Sequence, residues 1–220
     1  MTTIYVAPRV AIVDYGAGNL VSIEQALLAA GAGVHRAADA DEIGNPDLLV
    51  VPGVGAAAPA MDRLRDGGFI EPIRAWIAAD RPFLGICLGL QLLFEMSDED
   101  GAETLSILAG RTLRLTGAPT LPHIGWNQVV RRRAHAAFTG IADDADFYFV
   151  HSYVGAPAGP AADEVTLAET EHGARFVSAV ARGRLLGVQF HPERSGGNGL
   201  RLVANVVAAA AAARMSSSAA

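Results

Sequence analysis

The apolar run Phe83-Leu84-Gly85-Ile86, entered through Pro82 and left through Cys87-Leu88-Gly89, constrains this chain more than any other segment. A short, continuous apolar run bounded by a proline reads as a buried strand. Residues 88–96 carry Leu88, Leu92, Leu93, Phe94 and Met96 with no β-branched residue, and that pattern reads as a helix. Cys87, the single cysteine, therefore stands where strand becomes helix. A tight turn at that junction requires neighbours without bulk, and Gly85 and Gly89 meet the requirement. The positive end of the helix that follows would favour a thiolate.

The rest of the chain organises around this strand. Val10-Ala11-Ile12-Val13 is a continuous apolar run, as expected for a strand buried on both faces. The pattern predicts a helix over 22–30, strands over 34–37 and 48–51, and helices over 61–64 and 70–79. Strand–helix alternation of this kind implies a mostly parallel central sheet with helices on both faces. After Gly110 the rhythm changes to short strands, over 112–115, 127–130, 147–150, 165–168, 176–180 and 185–190. These suggest an added antiparallel or mixed strand region. In open α/β sheets ligands bind beyond the carboxyl ends of the strands. Asp14, Pro52 and Cys87 all follow such ends.

The strand over 185–190 would deliver His191 to its C-terminal edge. Pro192, with no N–H, then blocks further pairing. Along an extended chain His191 and Glu193 point the same way. A cysteine, a histidine and a carboxylate to orient that histidine are the groups needed for acyl transfer through a thioester. Two plainer readings stand beside this one. A free cysteine is often a small buried hydrophobe, and His-Pro-Glu can be a solvated turn.

Composition narrows the classes. The chain has 220 residues, enough for one domain with a sizeable core, with a formal net charge of −6 and 51% hydrophobic residues. No basic excess argues for nucleic acid, and Arg131-Arg132-Arg133 reads as a solvated turn or strand edge. One cysteine leaves no disulfide framework and fits a reducing, cytoplasmic setting. Six histidines lie singly, without metal-ligand spacing, so no metal is expected. The apolar stretch over 202–213 is interrupted by Asn205 and is shorter than the roughly 18–20 residues of a membrane span. A single domain over 1–210 and a disordered tail over 211–220 are expected.

Gly85-Ile86-Cys87-Leu88-Gly89 with His191-Pro192-Glu193 downstream resembles the triad-type, class I glutamine amidotransferases. Three stretches resemble in particular the glutaminase subunits of imidazole glycerol phosphate synthase, in histidine biosynthesis. They are Asp14-Tyr15-Gly16-Ala17-Gly18-Asn19-Leu20, Pro122-His123-Ile124-Gly125-Trp126-Asn127 and Tyr148-Phe149-Val150-His151-Ser152-Tyr153, and Pro52-Gly53-Val54-Gly55 belongs to the same resemblance. Leu90 stands where that family often has Met, and Arg194 where it often has Lys.

The resemblance implies a flavodoxin-like α/β fold, glutamine as substrate, no cofactor, and a (β/α)8-barrel cyclase subunit as partner in a heterodimer. It implies Cys87, His191 and Glu193 as the catalytic residues, with an oxyanion hole from Gly53, Val54 and Leu88. Gly55, Gln91, Glu99, Ser152 and Tyr153 would contact substrate. Asn19, Trp126, Tyr148 and Arg194 would face the partner. Trp126 and Tyr148 are open to a second reading as core residues, Glu99 as a solvated charge and Tyr153 as an edge-strand aromatic. A glutaminase subunit serving pyridoxal phosphate or anthranilate synthesis would share the chemistry with a different partner. A non-catalytic regulatory protein on the same fold would not be expected to keep Cys87, Gln91, His191 and Glu193 together.

Overall fold

The computed structural model describes residues 7–217, with side chains through 215. Its centre is a nine-stranded sheet in the order β2-β1-β3-β4-β12-β11-β10-β7-β8. The strands are β1 (Arg9–Val13), β2 (Gly33–Ala37), β3 (Leu48–Gly53), β4 (Phe83–Cys87), β7 (His123–Arg131), β8 (Ala145–His151), β10 (Thr166–His172), β11 (Ala174–Arg182) and β12 (Leu185–Val188). From β2 to β12 every pairing is parallel, and from β12 to β8 every pairing is antiparallel. The parallel half has the strand order of a flavodoxin-like doubly wound sheet. The antiparallel strands extend that same sheet. A small second sheet, β5 (Met96–Ser97), β6 (Gly110–Arg114) and β9 (Tyr153–Pro157), lies beside it in the order β5-β6-β9.

The continuous apolar runs are explained by cores on both faces of the sheet. Val10 and Ile12 of β1 pack on one side with Leu48, Val50, Leu84 and Ile86. Ala11 and Val13 pack on the other with Leu49, Val51 and Phe83. The first side is covered by α1 (Leu20–Ala29) and α6 (Gly196–Ser217), the second by α2 (Ala57–Asp66) and α3 (Ile70–Ala78), and a one-turn α5 (Ala162–Val165) precedes β10. Each fully buried Leu, Ile or Phe on these faces contributes roughly 1.5–3 kcal/mol.

Three expectations need correction. The helix after Cys87 is one turn, α4 (Leu88–Gln91), because the backbone of the following residues pairs elsewhere. The Leu92, Leu93 and Phe94 carbonyls accept from Leu105, Ile107, Leu108 and Ser106 N–H groups instead of from a next helical turn. The strand β9 begins at Tyr153, which had a reading as an edge-strand aromatic, but its continuation was not anticipated, since Gly155-Ala156-Pro157 has little strand propensity. Gly155 is needed there because a Cβ would lie 2.1 Å from Phe94 Cε2. Residues 211–217, expected as a disordered tail, continue α6, whose alanine-rich sequence favours helix. Residues 218–220 lie outside the described residues. Among the described residues, no helix is long and apolar enough to cross a membrane, and no group of three or more His, Cys, Asp or Glu could hold a metal ion.

Candidate active site

The strand–helix junction holds Cys87 in a strained geometry. Its φ is +54°, in a region that residues with a Cβ rarely occupy. The flanking glycines are required by contact. A Cβ on Gly85 would lie 2.6 Å from the Gly89 carbonyl oxygen, and one on Gly89 would lie 1.9 Å from the Val51 carbonyl oxygen. Parallel pairing of β3 with β4 sets Gly53 directly opposite Cys87. The glycine-rich turn Pro52–Gly55 therefore begins beside Cys87. Gly53 is pressed between Tyr15 and Leu88, with Tyr15 Oη donating to the Pro52 carbonyl at 2.9 Å. Leu88 opens α4, so its N–H has no partner within the helix. A one-turn helix has little dipole, so anion stabilisation falls to such individual N–H groups.

β12 pairs in parallel with β4, Val188 opposite Ile86, and carries the chain to His191 at the same edge. Pro192–Arg194 then forms one turn of 3-10 helix. Within it His191 Nδ1 meets Glu193 Oε1 at 2.8 Å, both side chains nearly excluded from solvent. The turn is tied to β8: His191 N–H donates to the Tyr148 carbonyl at 2.8 Å, and Tyr148 N–H donates to Ser195 Oγ at 2.9 Å. Asn198 adds a bond to the Asp146 carbonyl at 3.1 Å. Burial opposes charging the His191 ring. Cys87 and Glu193 together outweigh that burial and hold the ring above the ordinary histidine range. Since Nδ1 is taken by Glu193, the interaction with Cys87 belongs to the Nε2 edge. That atom is buried and makes no hydrogen bond of normal geometry.

A cleft of about 290 Å³ opens over the sulfur. It is lined by Cys87 and by seven of the eight residues expected for oxyanion and substrate contacts, Val54, Gly55, Leu88, Gln91, Glu99, Ser152 and Tyr153, with Gly53 outside the lining, and by Ala56, Pro122, Val150 and His151. Glu99 lies on an exposed turn at its rim, its carboxyl raised by partial burial and by Asp100. Larger concavity exists at the opposite ends of the strands, around Arg9, Asn45, Asp47 and Arg81, but it contains neither a nucleophile nor an imidazole–carboxylate pair.

Beneath the cleft runs a buried polar network that the sequence reading did not find. Gln91 Nε2 donates to the Tyr153 carbonyl at 2.8 Å and to Gln189 Oε1 at 3.1 Å. Gln189 Nε2 lies 3.6 Å from Cys87 Sγ. On the other side of Tyr153, His151 Nδ1 donates to the same carbonyl at 3.0 Å. Its Nε2 then accepts from His123 Nδ1 at 3.1 Å, and His123 Nε2 accepts from Asn127 Nδ2 at 3.2 Å. Every ring nitrogen of this pair is used by the neutral tautomers. Burial, reinforced by neighbouring histidines, pushes His123 down to about 4 and His151 to about 3. A signal for Gln189 existed: it is a polar residue inside the run 185–190, and a buried amide must find partners.

The four residues expected at a partner surface divide. Asn19 is exposed and caps α1, its Oδ1 accepting from Ser22 N–H at 3.3 Å. Trp126 and Tyr148 face each other across β7 and β8, rings 6.1 Å apart and edge-on, and the Arg194 guanidinium lies 4.3 Å above the Tyr148 ring. Trp126 is 56% exposed, so it is not a core residue. Ile124 and Val130, on the same side of β7, are also exposed and were not anticipated.

Residues 11–209 match the family described as glutamine amidotransferase class-I. The chain is 46% identical over 212 residues to the imidazole glycerol phosphate synthase subunit HisH of Synechococcus elongatus, covering 94% of this chain and 96% of that one. It is 45% identical over 197 residues to the subunit of the same name from Moorella thermoacetica, covering 89% and 92%. Among solved structures it is similar to a glutamine amidotransferase with a TM-score of 0.71 at 18% identity, covering 90% of this chain and 98% of that one. It is also similar to PurLQS from Thermotoga maritima, with a TM-score of 0.69 at 18% identity, covering 93% and 99%. At that identity the structural likeness speaks to the fold.

Proposed function

The chain belongs to the class I glutamine amidotransferase family, and from that premise we propose that it hydrolyses glutamine to glutamate and ammonia through a thioester on Cys87. The thiolate attacks the side-chain amide carbon. The carbonyl oxygen becomes an oxyanion held by N–H groups of the Gly53-Val54 segment and Leu88. His191 Nε2 gives its proton to the departing nitrogen and ammonia leaves. A water molecule then yields a proton to His191 Nε2 as its oxygen attacks the thioester, releasing glutamate and restoring the thiolate. Glu193 holds the ring through Nδ1 and stabilises its charged form. The observation that carries this reading is the 2.8 Å bond between His191 and Glu193, which leaves Nε2 as the free, buried edge of the ring.

The cleft also suggests how substrate is gripped. Both N–H groups of Gln91 are committed, to Tyr153 and Gln189, so Oε1 is the atom left to accept from the α-ammonium. Glu99 at the rim adds a carboxylate for the same charge, and the backbone of Ser152 and Tyr153 offers further contacts.

The relatives are named as subunits of imidazole glycerol phosphate synthase. This chain accordingly supplies its ammonia to a (β/α)8-barrel cyclase subunit that makes imidazole glycerol phosphate and AICAR in histidine biosynthesis. The surface of Asn19, Trp126, Tyr148 and Arg194 is the docking face in this reading. The test is ammonia release from glutamine with and without that partner. Cys87→Ala should abolish it. Glu193→Gln should lower kcat by roughly 10²- to 10⁴-fold while leaving a reactive thiol. Full glutaminase activity in Cys87→Ala would overturn the assignment.

A further inference from the structure

Gln189 is a buried polar residue that the steps above do not use. It is fully buried, and its backbone N–H is bound to the Ser178 carbonyl at 2.9 Å. Its side-chain orientation follows from its neighbours. The Tyr153 carbonyl can only accept, so the Gln91 amide must present Nε2 to it. The same Nε2 then reaches Gln189 at 3.1 Å, which requires an acceptor there, namely Oε1. The Gln189 NH2 group is thereby turned toward Cys87 Sγ, 3.6 Å away.

We infer that Gln189 is a positioning residue for the nucleophile: its Nε2–H donates to the Cys87 sulfur while its Oε1 anchors Gln91. A hydrogen bond to an ionised sulfur is stronger than one to a neutral thioester sulfur. The bond therefore favours the thiolate before attack and again when the sulfur leaves in the second step. One amide also ties the reacting atom to the side chain that holds the substrate, fixing the distance between them. Gln189 does this without touching glutamine.

The inference rests on the glutaminase reading, and its test separates the two ends of the amide. Gln189→Glu keeps an oxygen for Gln91 and puts a second oxygen where the donor was. Gln189→Met removes both ends. Expected for Gln189→Glu is a kcat lowered about tenfold or more with KM within about twofold, and slower carbamidomethylation of Cys87 by iodoacetamide. The deficit should widen from about pH 6 to about pH 9 as the introduced carboxyl ionises. Gln189→Met should raise KM as well as lower kcat. Gln189→Glu that matches the wild type in kcat and alkylation at every pH overturns the inference. So do equal losses in kcat and KM in both variants, which is the mark of a merely structural role. If Gln189→Glu does not fold, alkylation of Gln189→Met decides: wild-type reactivity overturns the inference and slowed reactivity supports it. Because alkylation needs no glutamine, it still reports on Gln189 if wild-type protein fails to hydrolyse glutamine, and that failure counts against the glutaminase reading alone.

Discussion

Lowering the pH from 7 to 5 should remove stability from this fold through one imidazole, His151. In the folded chain its ring is buried and neutral, Nδ1 donating to the Tyr153 carbonyl and Nε2 accepting from His123. Burial, followed by its electrostatic coupling to His123, pushes it down to about 3. In the unfolded chain a histidine titrates near about 6.5. The folded state thus binds fewer protons than the unfolded state over that whole interval, and stability falls as the pH falls. At pH 5, about 1.5 units below the unfolded value, His151 alone costs about 2 kcal/mol. His123, pushed down to about 4, acts in the same sense. It shares a hydrogen bond with His151, so its effect does not simply add. His191, held high, acts in the opposite sense: its contribution is fully present at low pH and is lost as the pH rises. Urea unfolding at 25 °C, followed by circular dichroism at pH 7, 6 and 5, measures the sum. The decisive comparison is with His151→Gln. That variant should be less stable than wild type at pH 7, yet lose about 2 kcal/mol less between pH 7 and pH 5. Parallel losses in the two proteins would refute the argument.

Two further outcomes are expected. Gly89→Ala should unfold at a temperature lower by several degrees, because its Cβ would meet the Val51 carbonyl of β3 at 1.9 Å and a backbone atom cannot yield cheaply. Gly197→Ala, with nothing within 4 Å, is the control, and equal melting temperatures for the two would contradict the packing argument. Trp126→Ala, Tyr148→Ala and Arg194→Ala should each weaken binding of the cyclase subunit by about 2 kcal/mol, roughly 30-fold in Kd. Calorimetry checks this. The docking assignment fails if they instead reduce unpartnered glutamine turnover to the level of Cys87→Ala while leaving partner affinity intact.

The parallel half of the sheet was legible because its strands are apolar on both faces and are punctuated by Gly and Pro. Cys87 and His191 were legible for the same reason, each standing just past such a run. Residues 92–96 were not, because Leu92, Leu93 and Phe94 are all fully buried and an evenly apolar segment carries no period. What decides their path is pairing with residues 104–108, a contact invisible along the chain. The partnership of Gln91 with Gln189 spans almost a hundred positions, and no local pattern announces it. The exposure of Trp126 depended on which face of β7 looks outward, which alternation gives only once the register with β8 is known.

β8 is the last strand of the nine-stranded sheet, and an edge strand with open N–H and C=O groups is a template for unwanted pairing with other chains. Here that edge is occupied by the turn that carries His191. His191 and Ser195 take the Tyr148 carbonyl and N–H, and Asn198 takes the Asp146 carbonyl. The turn that orients an imidazole therefore also acts as a guard rail against intermolecular strand addition. Substitutions that loosen it, at Ser195 or Asn198 as much as at His191, would uncover β8, so that loss of activity and loss of solubility arrive together. Screens that score only catalysis would attribute to chemistry what belongs partly to the protection of an edge.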